Sequence, residues 1–191
     1  MREIGKMSET PNLRNALIQA GMDLLAEGGT AALTLRQAAL RAGVSHAAPA
    51  HHFNGLPGLL TAIAARAFQT FADTLHTARD AAGQDPRARL LGTCQGYLTF
   101  AAHHSGLFQL MFVSAEVDRS DPALAPAALR SYQILSEACR PFASHPDDKL
   151  EVAVWSLVHG YASLGFSSPT PPNPMRHAPQ FAEILDELLR G

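Results

Sequence analysis

Apolar residues recur at helical spacing along nearly the whole chain, and no run alternates as a strand does. Leu13, Leu17, Ala20 and Leu24, with Leu25 alongside, predict a first helix. Asn12 is its expected cap after Pro11, residues 1–10 read as a loose arm, and Gly28-Gly29 ends the helix. Leu35, Ala38, Ala39 and Ala42 then give a second, small apolar face. Thr34 stands just before it as an N-cap, and Gln37 three residues on completes a capping box. Gly43 takes a left-handed backbone most easily and stops this helix. Val44 follows as an apolar plug, and Ser45 is the expected cap of a short helix over His46 to about His52.

Asn54-Gly55 predicts a turn, and Pro57 suits the first turn of a long helix reaching Ala82. Its stripe is Leu60, Ile63, Ala67, Phe71 and Leu75. About 25 residues at 1.5 Å each make a rod of about 40 Å. Asp85-Pro86 opens a further helix with Leu90, Cys94, Tyr97 and Leu98, and a short, very apolar piece runs from Leu107 to Val113. Asp121-Pro122 opens the next, with Leu129, Tyr132, Leu135, Cys139 and Phe142 in its stripe and Pro141 at its end. A helix from Pro146-Asp147-Asp148 to about Phe166 carries two apolar stripes, one through Leu150, Val154, Leu157, Tyr161 and Leu164, the other through Val152, Trp155, His159, Ala162 and Phe166. Both must be buried, one in its own bundle and one against a second subunit. A proline-rich loop over Ser168–Pro179 leads to a last helix with Phe181, Ile184, Leu185 and Leu188. The fold class is all-α, with about nine helices: a three-helix head over 1–56 and a helical body over 57–191.

Composition changes this picture little. The 191 residues are 47% hydrophobic and 17% charged, a globular balance with room for a sizeable core. No stretch of about 18 uncharged apolar residues occurs, so no membrane span is expected. The start of the chain lacks the apolar run of a signal peptide. Cys94 and Cys139 lie in apolar helical contexts, as reduced core residues of a cytoplasmic protein do. The net charge of −2 by itself argues for no polyanion partner. Its distribution does: residues 1–70 hold six basic and four acidic side chains, a net +2, and the remainder holds nine and thirteen, a net −4.

Helix, glycine turn and second short helix make the pattern of a helix-turn-helix, whose second helix enters a major groove. The head also resembles the TetR family of transcriptional regulators. The likeness lies in a helix ending Ala26-Glu27-Gly28-Gly29, then Thr34, Ala38-Ala39 and Ala42-Gly43-Val44-Ser45, then His52-Phe53, and Gly58-Leu59-Leu60 in the following helix. In the body, Trp155, His159 and Gly160 resemble the signature of a TetR-like C-terminal domain type named for its Trp, His and Gly. The resemblance implies a homodimer joined through the last two long helices, a palindromic double-stranded DNA operator and release by a small-molecule effector. Two positions depart from the family pattern: Ala50 and Leu56 stand where a Tyr and a Lys usually touch phosphate, which weakens the sequence-independent part of binding.

His46 is the leading base-reading residue, since an imidazole donates or accepts at a base edge. Ala47 and Ala48 suit thymine methyls or close approach, and Pro49 limits the start of the helix. Thr34, Arg36, Gln37, Arg41, Ser45, His51 and His52 complete the expected DNA face. Leu107, Phe108, Met111, Phe112, Tyr132, Trp155 and His159 are the expected effector contacts, and an apolar or aromatic effector suits them. Leu150, Val154, Leu157 and Tyr161, with Phe181, Ile184, Leu185 and Leu188, are the expected dimer interface. No metal or cofactor is expected, because the adjacent pairs His51-His52 and His103-His104 point apart and lack spaced Cys, Asp or Glu partners. The competing reading is a helical small-molecule-binding protein or enzyme with a vestigial head. No nucleophile–base pair, paired carboxylates or phosphate-binding glycine loop supports catalysis.

Overall fold

The computed structural model describes residues 9–143, 145, 149–166 and 179–190, and every regular element among them is helical. The eight α-helices among these residues are α1 (Glu9–Gly28), α2 (Leu35–Arg41), α3 (Gly55–Ala81), α4 (Pro86–His103), α5 (Ser105–Phe112), α6 (Leu124–Cys139), α7 (Leu150–Ser163) and α8 (Phe181–Arg190). Short 3-10 turns cover Thr30–Ala32, Ala48–His51 and Arg140–Phe142. α1 starts ahead of the expected cap at Asn12, because Pro11 falls within its first turn, where a missing N–H costs nothing. The expected helix start at Pro146–Asp148 and most of the proline-rich loop lie outside the described residues.

By packing, the chain forms two compact units. The first runs to Phe68 and takes in Ser105–Ala127, and the second holds Gln69–His104 and the chain from Ala128 on. α3 therefore supplies its first half to one unit and its second half to the other.

In the first unit α1 rests on α2 and on α5. Leu17, Ile18, Leu25, Leu59, Ile63, Leu110 and Met111 are fully buried there. Phe112 meets Phe68 edge-on at 5.5 Å, and Phe53 is capped by the Arg14 guanidinium at 5.3 Å. Thr61 closes the loop after α5: its Oγ1 donates to the Pro57 carbonyl at 2.8 Å and accepts from the Asp118 N–H at 2.9 Å. α5 joins this unit because Gly106 lets it approach α1 closely, with a Cβ there falling 2.5 Å from the Leu25 carbonyl oxygen.

In the second unit Phe71 packs on Tyr97 at 4.8 Å and on Phe100 at 5.0 Å. Leu75, Leu90, Cys94, Cys139, Val154, Val158 and Leu185 complete its core. Burial pushes the Cys139 thiol up to about 12 and the Cys94 thiol higher still, so both stay protonated and unreactive. α4 lies close on the second half of α3 because Gly92 and Gly96 face Ala78. Asp85 caps α4 by accepting from the Ala88 N–H at 2.8 Å, as its place before Pro86 predicts. Arg87 ties α4 to α8 through Asp186, an exposed pair worth little to stability.

Gly106→Ala is expected to lower stability, because its nearest new contact is backbone that cannot swing aside. Overpacking of this kind costs about 1–3 kcal/mol, offset by under about 1 kcal/mol of helix propensity. Gly21→Ala meets instead the end of the Ile63 side chain, which can turn, and should cost less. Urea midpoints of the two variants check the order.

Candidate nucleic-acid interface and effector site

The corner between α2 and the next turn is built from local signals. Thr34 sits in extended backbone, and its Oγ1 accepts from the Gln37 N–H at 3.1 Å. Ala38 and Ala39 have no exposed surface, which seats α2 on the first unit's core. At the other end Gly43 has φ 68°, its N–H donates to the Leu40 carbonyl at 3.1 Å, and the Val44 N–H donates to the Ala39 carbonyl at 3.0 Å. Those two bonds make a Schellman stop, which only a residue at ease with positive φ closes without strain.

The element after the corner differs from the expected helix. Ala48–His51 is a 3-10 turn, and no side chain caps it, Ser45 included. Pro49 is the cause. In a helix capped by Ser45, residue 49 would donate the first intrahelical bond, and proline has no N–H to give. The chain instead closes three-residue loops, Ala48 N–H to the Ser45 carbonyl at 3.0 Å and Ala50 N–H to the Ala47 carbonyl at 3.2 Å. The Phe53 N–H then returns to the Pro49 carbonyl at 2.9 Å.

This geometry sorts the expected DNA face. Ala48 and Pro49 are buried and anchor the turn, whereas Ser45, His46, Ala47, Ala50 and His51 are exposed. His52 is half-buried, edge-on to Phe53 at 6.4 Å. Arg36 and Gln37 are exposed on α2, and Arg36 is in no ion pair among the described residues. Arg41 is held elsewhere: its Nη1 and Nη2 donate to the two Glu27 carboxylate oxygens at 2.5 and 2.6 Å. That bidentate pair holds the Glu27 carboxyl below its usual range and raises Arg41. It joins residues 14 positions apart on different helices, which no local pattern announces.

The expected effector contacts divide between the units. Leu107, Phe108 and Met111 are buried in the first, and Phe112 lies 4.9 Å from Phe108 there. Tyr132, Trp155 and His159 belong to the second. There the Tyr97 hydroxyl and His159 Nδ1 stand 2.7 Å apart, either donating according to the imidazole tautomer. Burial pushes the Tyr97 phenol up and the His159 imidazole down, so the contact joins two neutral groups at pH 7. Tyr97 was missed in the sequence because its partner lies 62 positions away. Trp155 keeps 38% of its surface exposed, lies edge-on to Tyr132 at 5.7 Å, and the Tyr132 hydroxyl donates to Glu151 at 3.3 Å. Among the described residues, a Cβ on Gly160 would meet nothing within 4 Å, so that glycine serves no close approach to them. Among the described residues no three His, Cys, Asp or Glu side chains come together as a metal-binding group.

Of the expected interface residues, Val154, Phe181 and Leu185 are buried within their own chain. Leu150, Leu157, Tyr161, Ile184 and Leu188 are half-buried. Tyr161 is tied to the start of α8, stacking edge-on with Phe181 at 5.3 Å and donating to the Pro179 carbonyl at 3.1 Å. The stripe of α7 turned outward is the one through Val152 and Trp155.

Residues 90–189 match the family described as Tetracyclin repressor-like, C-terminal domain. No curated protein matches the chain. Among solved structures, a protein of unknown function from Rhodococcus sp. RHA1 is similar at 28% identity and TM-score 0.76, over 98% of both chains. A TetR-family transcriptional regulator from Streptomyces coelicolor is 23% identical at TM-score 0.60, over 93% of this chain and 95% of its own. The multidrug binding protein EbrR, solved with imidazole, is 18% identical at TM-score 0.61, over 92% and 93%. The latter two likenesses carry the fold alone. With the family match over more than half its length and the capped α2–Gly43 corner ahead of it, the chain belongs to the TetR family of DNA-binding transcriptional regulators.

Proposed function

We propose that the chain is a ligand-responsive repressor that binds a palindromic operator as a homodimer and leaves it when a small apolar or aromatic molecule binds the body. The observation that carries this reading is the corner itself. Its capped helix and glycine stop turn Arg36, Gln37, His46, Ala47 and His51 to solvent together, with Ala48 and Pro49 as a buried anchor. His46 and His51 read base edges or phosphate, Arg36 neutralises phosphate, and Arg41 acts through Glu27 to hold α2 on α1. The effector contacts the Tyr97, Tyr132, Trp155 and His159 cluster of the second unit, where aromatic rings surround one neutral hydrogen-bonding pair. Two copies join through α7 and α8, with the outward Val152 and the half-buried Leu150, Leu157, Ile184 and Leu188 covered across the interface. The effector favours a dimer whose reading turns are wrongly spaced for successive major grooves, roughly 34–36 Å apart. Catalysis forms no part of this reading.

Salt-dependent binding to the duplex upstream of its own gene tests the DNA half. His46→Ala is expected to weaken specific binding by about tenfold, one base contact's worth. Arg36→Ala is expected to weaken all duplexes alike and to reduce the salt slope by about 1. A duplex affinity indifferent to both changes would contradict the assigned face. Trp155 is the one tryptophan of the chain, so its emission reports the body without background. An aromatic compound that releases DNA should shift this emission over the same concentration range, and Tyr97→Phe with His159→Phe should remove both responses. Release of DNA with unchanged emission would place the effector elsewhere.

A further inference from the structure

The first unit carries a groove of about 410 Å³ that none of the assignments above uses. Leu33, Leu60 and Leu110 form its buried floor, Leu56 lines it half-buried, and Val113 stands at it with 75% of its surface in water. A volume in this range suits a small organic molecule, and a large aliphatic side chain left open beside a concave apolar surface marks where such a molecule gains most. The lining also includes Glu116, an exposed carboxylate that enters no ion pair among the described residues. Arg119 lies outside the lining, its guanidinium donating to the Met111 carbonyl at 2.7 Å and, more weakly, to the Ser114 carbonyl at 3.4 Å. Glu116 is the one charged residue among those lining the groove, so the charge the lining itself carries is negative. We infer that this groove is a binding site for small organic ammonium ions, with the apolar body between Leu56 and Val113 and the cationic head at Glu116.

The site is separate from the aromatic cluster of the second unit and does not rest on the repressor reading. Its walls include Thr30, just ahead of the cap at Thr34, and Leu56, just past the reading turn, so an occupant touches the chain on both sides of the corner.

The test is methyl-labelled NMR on the full chain, without DNA, titrated with n-octylammonium below its micelle-forming concentration. Saturable shifts are expected at the Leu56, Leu60 and Val113 methyls, with octyl sulfate producing none. Glu116→Gln, an exposed change that leaves the core intact, should weaken the interaction about tenfold, as loss of one charge-assisted contact does. Leu56→Lys should abolish it, with circular dichroism checking that the variant folds. Absent or unsaturable shifts, equal shifts with octyl sulfate, or shifts confined to the second unit would overturn the assignment. So would shifts at these methyls that follow protein concentration instead of ligand, which would mean that a second copy covers the groove.

Discussion

A proline that cannot donate a hydrogen bond shapes the corner after α2. Thr34 fixes where α2 begins, and Gly43 fixes where it stops. What happens next is decided at Pro49, which withholds the bond that would have begun a regular helix from Ser45. The chain answers with a tight 3-10 turn, and burial of Ala48 and Pro49 holds that turn against the core. His46, Ala47 and His51 are left facing water as a consequence. A short turn with few internal bonds is a weak element alone, so its geometry depends on the residues that seat it. Phe53 beneath Arg14 and the Phe53 N–H on the Pro49 carbonyl do that seating.

The second unit follows a different logic. Its core is largely apolar, and across it the Tyr97 hydroxyl on α4 meets His159 on α7. Both groups are neutral, so the contact satisfies two polar groups without burying a charge. Trp155 and Tyr132 lie on the half-exposed side of the same unit. On the proposed reading, that combination suits an effector that brings rings and at most a hydrogen bond. The groove of the first unit offers the opposite character, aliphatic walls and a carboxylate.

Most of the fold was legible because its signals are local. The cap at Thr34, the stop at Gly43 and the Asp85-Pro86 helix start each depend on residues within a turn of one another. Helical stripes placed nearly every element. Three features were not legible, for one reason each. Pro49 reads as a tolerable residue in a first turn unless its position is counted from Ser45, where it removes the first bond. Gly106 decides that α5 joins the first unit, through a contact with Leu25 that periodicity does not encode. The two stripes of α7 look equally apolar in sequence, and only packing shows Val154 and Val158 turned inward while Val152 and Trp155 face out. The site residues follow the same division. The exposure of His46 and Arg36 beside the corner follows from their position, but the Arg41–Glu27 pair and the Tyr97–His159 pair join residues far apart in the chain.

On the proposed function, two such corners related by a two-fold axis read DNA. Selection of bound duplexes from a randomised pool by the full chain measures this most directly. The expected result is enrichment of an inverted repeat whose half-sites lie about one helical turn, roughly 10–10.5 base pairs, or a multiple of it, apart. A pool that shows no enrichment, or that yields a preferred sequence without two-fold symmetry, would contradict it.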